Sequence, residues 1–245
     1  MITAVYQYWK NSKPPEMMRL SIESVKRNLL DIDRIVVVGD DPKVDGIDYV
    51  SCPRITGGEF RRRFGCEMRS SVRMVDQIVK LLRIIDCDKI SDPFLRLYDD
   101  HFFLRPVSAS EFITPRYRGR IDANEARLKG WQETRRQTFW RLKQLGLPSY
   151  DYSTHAPQVF EKCKIKTLIE EMDLLNRPGL FESLYHNRFR DGSHKITNRL
   201  LFRYVTCTSD IDWNTEKAAC VCVQNKFLHK HLPLISSFYK KTFPT

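Results

Sequence analysis

Two adjacent carboxylates, Asp99 and Asp100, stand inside an otherwise apolar stretch, LRLYDDHFFLRPV, that runs from Leu95 to Val107. Neighbouring aspartates repel each other and resist burial, so a place between two hydrophobic runs requires compensation. A divalent cation is the usual compensator, because hard carboxylate oxygens suit Mg²⁺, Mn²⁺ or Ca²⁺. The plainer alternative is a strand that ends in a polar turn. Further along, Glu182 stands alone at the start of an apolar segment with helical spacing. It reads either as a helix-dipole partner in a first turn or as a general base beside a reacting hydroxyl. His155, in the loop-like stretch DYSTHAP, has the chemistry for acceptor contact or acid/base work. Cys220-Val-Cys222 followed by His229-Lys-His231 has donors that could ligate zinc. Period-2 alternation, however, puts both cysteines on one strand face, where small buried thiols are ordinary core residues.

The elements needed to position these groups follow from hydrophobic patterning. Ile2–Tyr8 alternates and reads as a first strand; Pro15-Glu16 opens a helix with Met17, Leu20, Ile22, Val25 and Leu29 at helical spacing. Asp33–Val38 is a β-branched run typical of a buried parallel strand, and it ends in a Gly39-Asp40-Asp41-Pro42 loop. A short strand over Ile47–Val50 precedes Arg54, and Gly57–Arg63 reads as a flexible polar segment. Residues 67–86 form an amphipathic helix with Arg69, Arg73, Lys80 and Arg83 on its polar face. Phe94–Tyr98 is the strand that delivers the two aspartates. A helix over Glu125–Leu145 is expected to set Leu128, Trp131, Phe139, Leu142 and Leu145 on one stripe, with Trp131 and Trp140 as packing groups. Residues 161–175 form another helix, and Cys220–Gln224 a late strand. This order predicts an α/β fold with a mostly parallel central sheet flanked by helices, whose ligands bind at the carboxyl ends of the strands. Asp40, Asp99 and Asp100 would then converge on one crevice.

At 245 residues the chain has the length of a single domain, and 42% hydrophobic content is that of a globular protein. No run of about 18 apolar residues is present, and the N-terminus lacks the apolar core of a signal sequence, so no membrane span and a cytoplasmic location are expected. Seven cysteines at irregular spacing argue for reduced thiols. There is no G-x-G-x-x-G and no G-x-x-x-x-G-K-[ST], which disfavours dinucleotide oxidoreductases and P-loop ATPases. The net charge of +11 is uneven: residues 54–83 hold eight basic against three acidic residues, and residues 116–143 nine against three. Such fields attract polyanions.

The succession of strand, helix, IVVVGDDP, basic helix and LYDDHFF resembles the nucleotide-sugar-binding half of GT-A (Rossmann-like) glycosyltransferases, in particular Stealth-type sugar-phosphotransferases and related short phage or bacterial transferases. Val36–Asp40 is similar to their "IVTDG" segment. Tyr98–Phe103 is similar to their "NDDVF", with Tyr98 replacing the Asn and His101 the Val. His155-Ala-Pro157 with Lys162–Lys166 is similar to "H-x-P" and its basic helix, and Val221–Asn225 to the late "IND" strand.

The resemblance implies a nucleotide-sugar-binding half over residues 1–107 and an acceptor-binding half over 108–245. It also implies metal-dependent transfer from a nucleotide-sugar, most naturally a UDP-sugar. Asp100 would ligate Mn²⁺ or Mg²⁺, with Asp99 on the metal through water or on the ribose. Asp40 and Arg54 would hold the uridine or ribose end, and Tyr6, Gly39 and Arg69 are further donor contacts. An inverting enzyme would use Glu182 as base; otherwise His155 takes that part. The basic segments, with Arg61, Arg62, Arg63, Arg135 and Arg136, make DNA carrying a hydroxymethylated base an attractive acceptor, and a surface glycan is the alternative. Two other classes share these features: a non-catalytic basic nucleic-acid binder, and a metal-dependent nuclease or phosphotransferase.

Overall fold

The computed structural model of the chain describes residues 1–10, 15–64, 72–122, 131–189, 195–196, 198–205, 213, 216–224 and 227–242. The amino-terminal half runs β1 (Ile2–Tyr8), α1 (Pro15–Asn28), β2 (Leu29–Leu30), β3 (Ile32–Gly39), β4 (Asp48–Ser51), α2 (Gly57–Phe64), α3 (Val72–Ile85), β5 (Phe94–Leu97), β6 (His101–Phe103) and β7 (Val107–Ser108). There follow β8 (Arg116–Tyr117), α4 (Trp131–Gln144), β9 (Gln158–Phe160), α5 (Lys162–Glu171), α6 (Phe181–Arg188), β10 (Lys195–Ile196), β11 (Phe202–Val205), β12 (Cys220–Val223) and α7 (Leu228–Thr242).

The central sheet has the order β4-β3-β1-β5-β9, parallel throughout except for the antiparallel edge strand β9. The β-branched run of β3 is buried on both faces. Val36 and Val38 pack with Val75, Ile78 and Val79 of α3 and with Ile165 and Leu168 of α5. Ile35 and Val37 pack with Met18, Ile22 and Val25 of α1. Two covered faces are what a parallel sheet requires, and the period-2 alternation of side chains divides one strand between two cores. A second sheet, β11-β12-β6, lies on the α1 side: Phe103 of β6 and Cys220 and Cys222 of β12 join the same core as α1.

Several sequence expectations are corrected. Gly57–Arg63 is helical, within α2. Its two glycines suggest flexibility, but Thr56 and Glu59 form a reciprocal cap: the Glu59 N–H donates to Thr56 Oγ1 (3.2 Å) and the Thr56 N–H to Glu59 Oε2 (2.8 Å). Lys80 does not sit on a solvent face of α3; it is 3% exposed and ion-paired with Asp76 one turn earlier. The apolar stripe expected on α4 is incomplete. Leu142 is buried, but Trp131, Trp140 and Leu145 are each about half exposed. Residues 67–71 and 125–130, expected in helices, lie outside the described residues, as does Arg69.

Candidate active site

In an open α/β sheet the crevice opens beyond the carboxyl ends of two adjacent strands whose connections leave in opposite directions. Here those strands are β1 and β5: the chain leaves β1 through α1 to β3 on one side, and β5 is added on the other. The residues at this edge are Tyr8 and Trp9 after β1, Gly39 and Asp40 after β3, Arg54 beyond β4, and Tyr98-Asp99-Asp100 after β5.

Gly39 pairs with Tyr8 in register, and its φ of +140° is one that side chains rarely adopt. A Cβ there would lie 2.0 Å from the Tyr8 carbonyl oxygen, so only glycine permits this approach. Asp40 follows directly; its N–H donates to the Tyr8 carbonyl and its carboxylate accepts from the Lys10 N–H at 3.0 Å. The Tyr8 hydroxyl is pushed above its ordinary range, first by burial and then by the charges of Asp99 and Asp40. Two carboxylates from different strand ends therefore act on one phenol. Arg54 lies over Trp9, its guanidinium carbon 3.8 Å from the ring centroid. Tyr6, expected among the donor contacts, is instead a core residue: it is fully buried, with its hydroxyl on Ser21 of α1 at 2.9 Å.

The aspartates occupy a tight turn closed by the His101 N–H on the Tyr98 carbonyl (3.1 Å). Both are nearly buried, at 8% and 5% exposed. The turn also joins the two sheets, since β6 begins at His101 and pairs with β12, setting His101 opposite Cys222. Ligand atoms of Asp100, His101 and Cys222 lie within 4.8 Å of one another. An oxygen, a nitrogen and a sulfur donor together suit a first-row transition metal better than Mg²⁺, which wants oxygen alone. His101 already engages both ring nitrogens: Nδ1 accepts from the Tyr98 N–H (3.3 Å), and Nε2 lies 2.6 Å from the His155 carbonyl oxygen. That pattern sets its proton on Nε2. Among the described residues the grouped donors are therefore Asp100, His101 and Cys222, and Asp99 is not one of them. Among the described residues Cys222 clusters with Asp100 and His101 rather than with the zinc-spaced His229 and His231.

A second group forms the adjoining wall. Arg96 of β5 donates from Nη1 to Glu182 Oε1 at 2.8 Å, and the Tyr98 hydroxyl donates to the same oxygen. Arg96 Nη2 reaches the Tyr98 hydroxyl at 3.0 Å. Burial alone would raise the Glu182 carboxyl, but the Arg96 charge, the Tyr98 hydroxyl and the nearby His155 hold it below the usual carboxylate range. A general base works best near the operating pH. Glu182, expected in that role, is ion-paired with Arg96 and accepts from the Tyr98 hydroxyl. His155 sits in the left-handed region at φ 55°, an uncommon conformation that the surrounding packing must enforce. Its ring stacks on Tyr204 of β11 (5.0 Å, 13°) and lies 5.0 Å from the Tyr98 ring. His155 therefore adjoins both the aspartate turn and the Glu182 group.

The basic residues are dispersed. Arg61 and Arg62 are exposed on α2, and nothing is described of the Arg63 side chain. Arg135, expected on a phosphate-binding surface, is 7% exposed and turned inward onto Asp151. Arg136 is exposed and forms a two-pronged pair with Glu133. The sequence carries no expectation for Trp9, and marks Tyr98 and His101 only as replacements within the double-aspartate motif. The available signals were position alone: an aromatic directly after the first strand, and the two residues bracketing the aspartates.

No protein-family profile matches the chain, and no curated protein matches its sequence. Its structure is similar to that of the galactosyltransferase LgtC in complex with donor and acceptor sugar analogues, with a TM-score of 0.51 at 13% identity, covering 96% of each chain. An active-site mutant of LgtC aligns over 91% of this chain and 87% of its own, at 14% identity and a TM-score of 0.48. The chain accordingly has the α/β fold of that galactosyltransferase, of the GT-A kind expected from the order of its strands and helices. Among the described residues no helix is long and apolar enough to cross a membrane.

Proposed function

We propose that this chain is a metal-dependent glycosyltransferase that takes a UDP-sugar as donor and a saccharide hydroxyl as acceptor. The observation that carries this reading is the position of Asp99 and Asp100: nearly buried, at the carboxyl end of β5, beside the strand at which the sheet order reverses. Trp9, with the Arg54 guanidinium 3.8 Å from its ring centroid, would offer an aromatic, positively charged contact to the nucleobase and its ribose phosphate, and Asp40 would accept from the ribose hydroxyls. A divalent cation held by Asp99 and Asp100 would neutralise the charge that gathers on the diphosphate as the sugar–oxygen bond breaks. In the transfer the acceptor hydroxyl oxygen bonds to the anomeric carbon, the bond from that carbon to the diphosphate oxygen breaks, and the hydroxyl proton leaves. That proton would pass to His155, a reading supported by its ring lying 5.0 Å from that of Tyr98, while Glu182 is tied to Arg96 and Tyr98.

The neighbour's printed acceptor is a sugar analogue, which favours a saccharide here. DNA has less support, since Arg135 is turned inward onto Asp151 and Arg136 is paired with Glu133.

Thermal unfolding with a panel of UDP-, GDP- and ADP-hexoses tests the donor. A ligand bound only by the folded state raises Tm, and UDP-hexose with Mn²⁺ is expected to do so while either alone does little. Asp100→Asn is expected to abolish the shift and to lower donor hydrolysis by about 10²–10³-fold. Wild-type turnover by Asp100→Asn, or an undiminished response in EDTA, would remove the metal from the mechanism.

A further inference from the structure

A cavity of about 390 Å³ opens between α4 and the paired segments 118–121 and 149–151, a volume in the range of small-ligand sites. Its walls carry Arg118, Arg120, Arg135, Asp151 and the half-exposed indole of Trp131. Three guanidinium groups against one carboxylate leave two positive charges in excess. Asp151 accepts from Arg118 Nε (2.7 Å) and from Arg135, and these bonds hold both arginines beside the indole: their guanidinium carbons lie 5.4 and 4.9 Å from the Trp131 centroid. Arg120 is exposed and lies over Tyr150, 5.4 Å from that centroid. Tyr117, Tyr150 and Tyr152 pack ring to ring, Tyr117 and Tyr150 at 4.5 Å.

The cavity belongs to the same loop as the reaction centre. Asp151 and His155 are four residues apart, at most about 14 Å of chain. Between them, the Tyr152 N–H donates to Ser183 Oγ at 3.0 Å, next to Glu182 on α6. An acceptor seated here would lie within that chain distance of His155.

We infer that this cavity is an acceptor subsite for an anionic saccharide, a sugar ring bearing a carboxylate or a phosphate, with Trp131 under the ring and Arg118 and Arg120 on the anionic group. An exposed indole offers an apolar face to a saccharide ring, and planar guanidinium groups grip carboxylates and phosphates two-pronged. An excess of positive charge is wasted on a neutral sugar. The inference rests on the transferase reading and supplies its acceptor class.

Binding can be followed without donor, by quenching of tryptophan fluorescence in the full-length protein. The probes are a glucuronate-terminated disaccharide, its methyl ester, a hexose phosphate and a short single-stranded oligonucleotide. The acid or the phosphate is expected to quench at least tenfold more tightly than the ester. Arg120→Ala is expected to weaken the charged probe about tenfold and leave the ester unchanged. Trp131→Phe, at a half-exposed position that leaves folding intact, is expected to remove most of the quench. Equal binding of acid and ester, or binding unaffected by Arg120→Ala, overturns the inference, as does tighter binding of the oligonucleotide. Failure here with an intact Mn²⁺-dependent Tm shift by UDP-hexose leaves the transferase reading standing; loss of both removes the two together.

Discussion

Arg96 with Glu182 and Arg118 with Arg135 and Asp151 are two arginine–carboxylate assemblies built from the same chemistry, and they differ in what surrounds them. In the first, both partners are under a tenth exposed, the charges balance one to one, and the phenol of Tyr98 is tied to them. In the second, the carboxylate is buried but one arginine reaches solvent, with 42% of the Arg118 side chain exposed, and two cations share one anion. A balanced, sealed pair gives rigidity and no net field; an unbalanced pair at a cavity mouth leaves charge for a ligand. The first fits the wall of the proposed reaction centre and the second the proposed acceptor subsite.

Removing one partner from each assembly sharpens that contrast. Arg96→Met leaves Glu182 buried and uncompensated and is expected to cost about 3–5 kcal/mol in urea unfolding, while Arg96→Met/Glu182→Leu recovers most of the loss. If the single variant costs no more than a surface change, the sealed character assigned to this pair is wrong. Arg135→Met leaves Asp151 with Arg118 and is expected to cost about 1–3 kcal/mol. Arg118→Ala, screened by solvent, should fall below about 1 kcal/mol.

Acid titration gives the smallest and most gradual signal. Glu182 and Asp151 are both held below their ordinary range against the raising effect of burial, by their arginines in each case, with Tyr98 adding to the hold on Glu182. A depressed carboxyl contributes stability that is complete above its unfolded value, about 4.3 for Glu and 3.9 for Asp, and is lost as pH falls through the folded value. Stability should therefore be flat above about pH 5 and decline below about pH 4. Arg96→Met/Glu182→Leu should show a shallower decline; an unchanged slope would place the acid sensitivity elsewhere.

What could be read in advance divides along the same line between local and distant information. The parallel sheet was legible because β-branched runs such as Ile35–Val38 announce burial on both faces, and the strand order places Asp40 and Asp99 at one edge. The Thr56–Glu59 cap was also present in the sequence, as T-G-G-E, but two glycines outweighed it in the reading. The Asp76–Lys80 pair had the spacing of one helical turn, yet nothing local marks a lysine as buried. The Arg96–Glu182 bond spans 86 positions, and no periodicity foretells it. Nor does helical spacing distinguish a tryptophan that packs from one that lines a cavity, which is why Trp131 was expected inside.

The turn that carries the aspartates is also the direct covalent step from β5 in one sheet to β6 in the other. A cation gripped at Asp99 and Asp100, with Cys222 near, would act as a rivet through two layers. Its arrival should slow amide exchange well beyond the crevice, in β12 and β1, so that loading is heard across the whole molecule before any sugar moves.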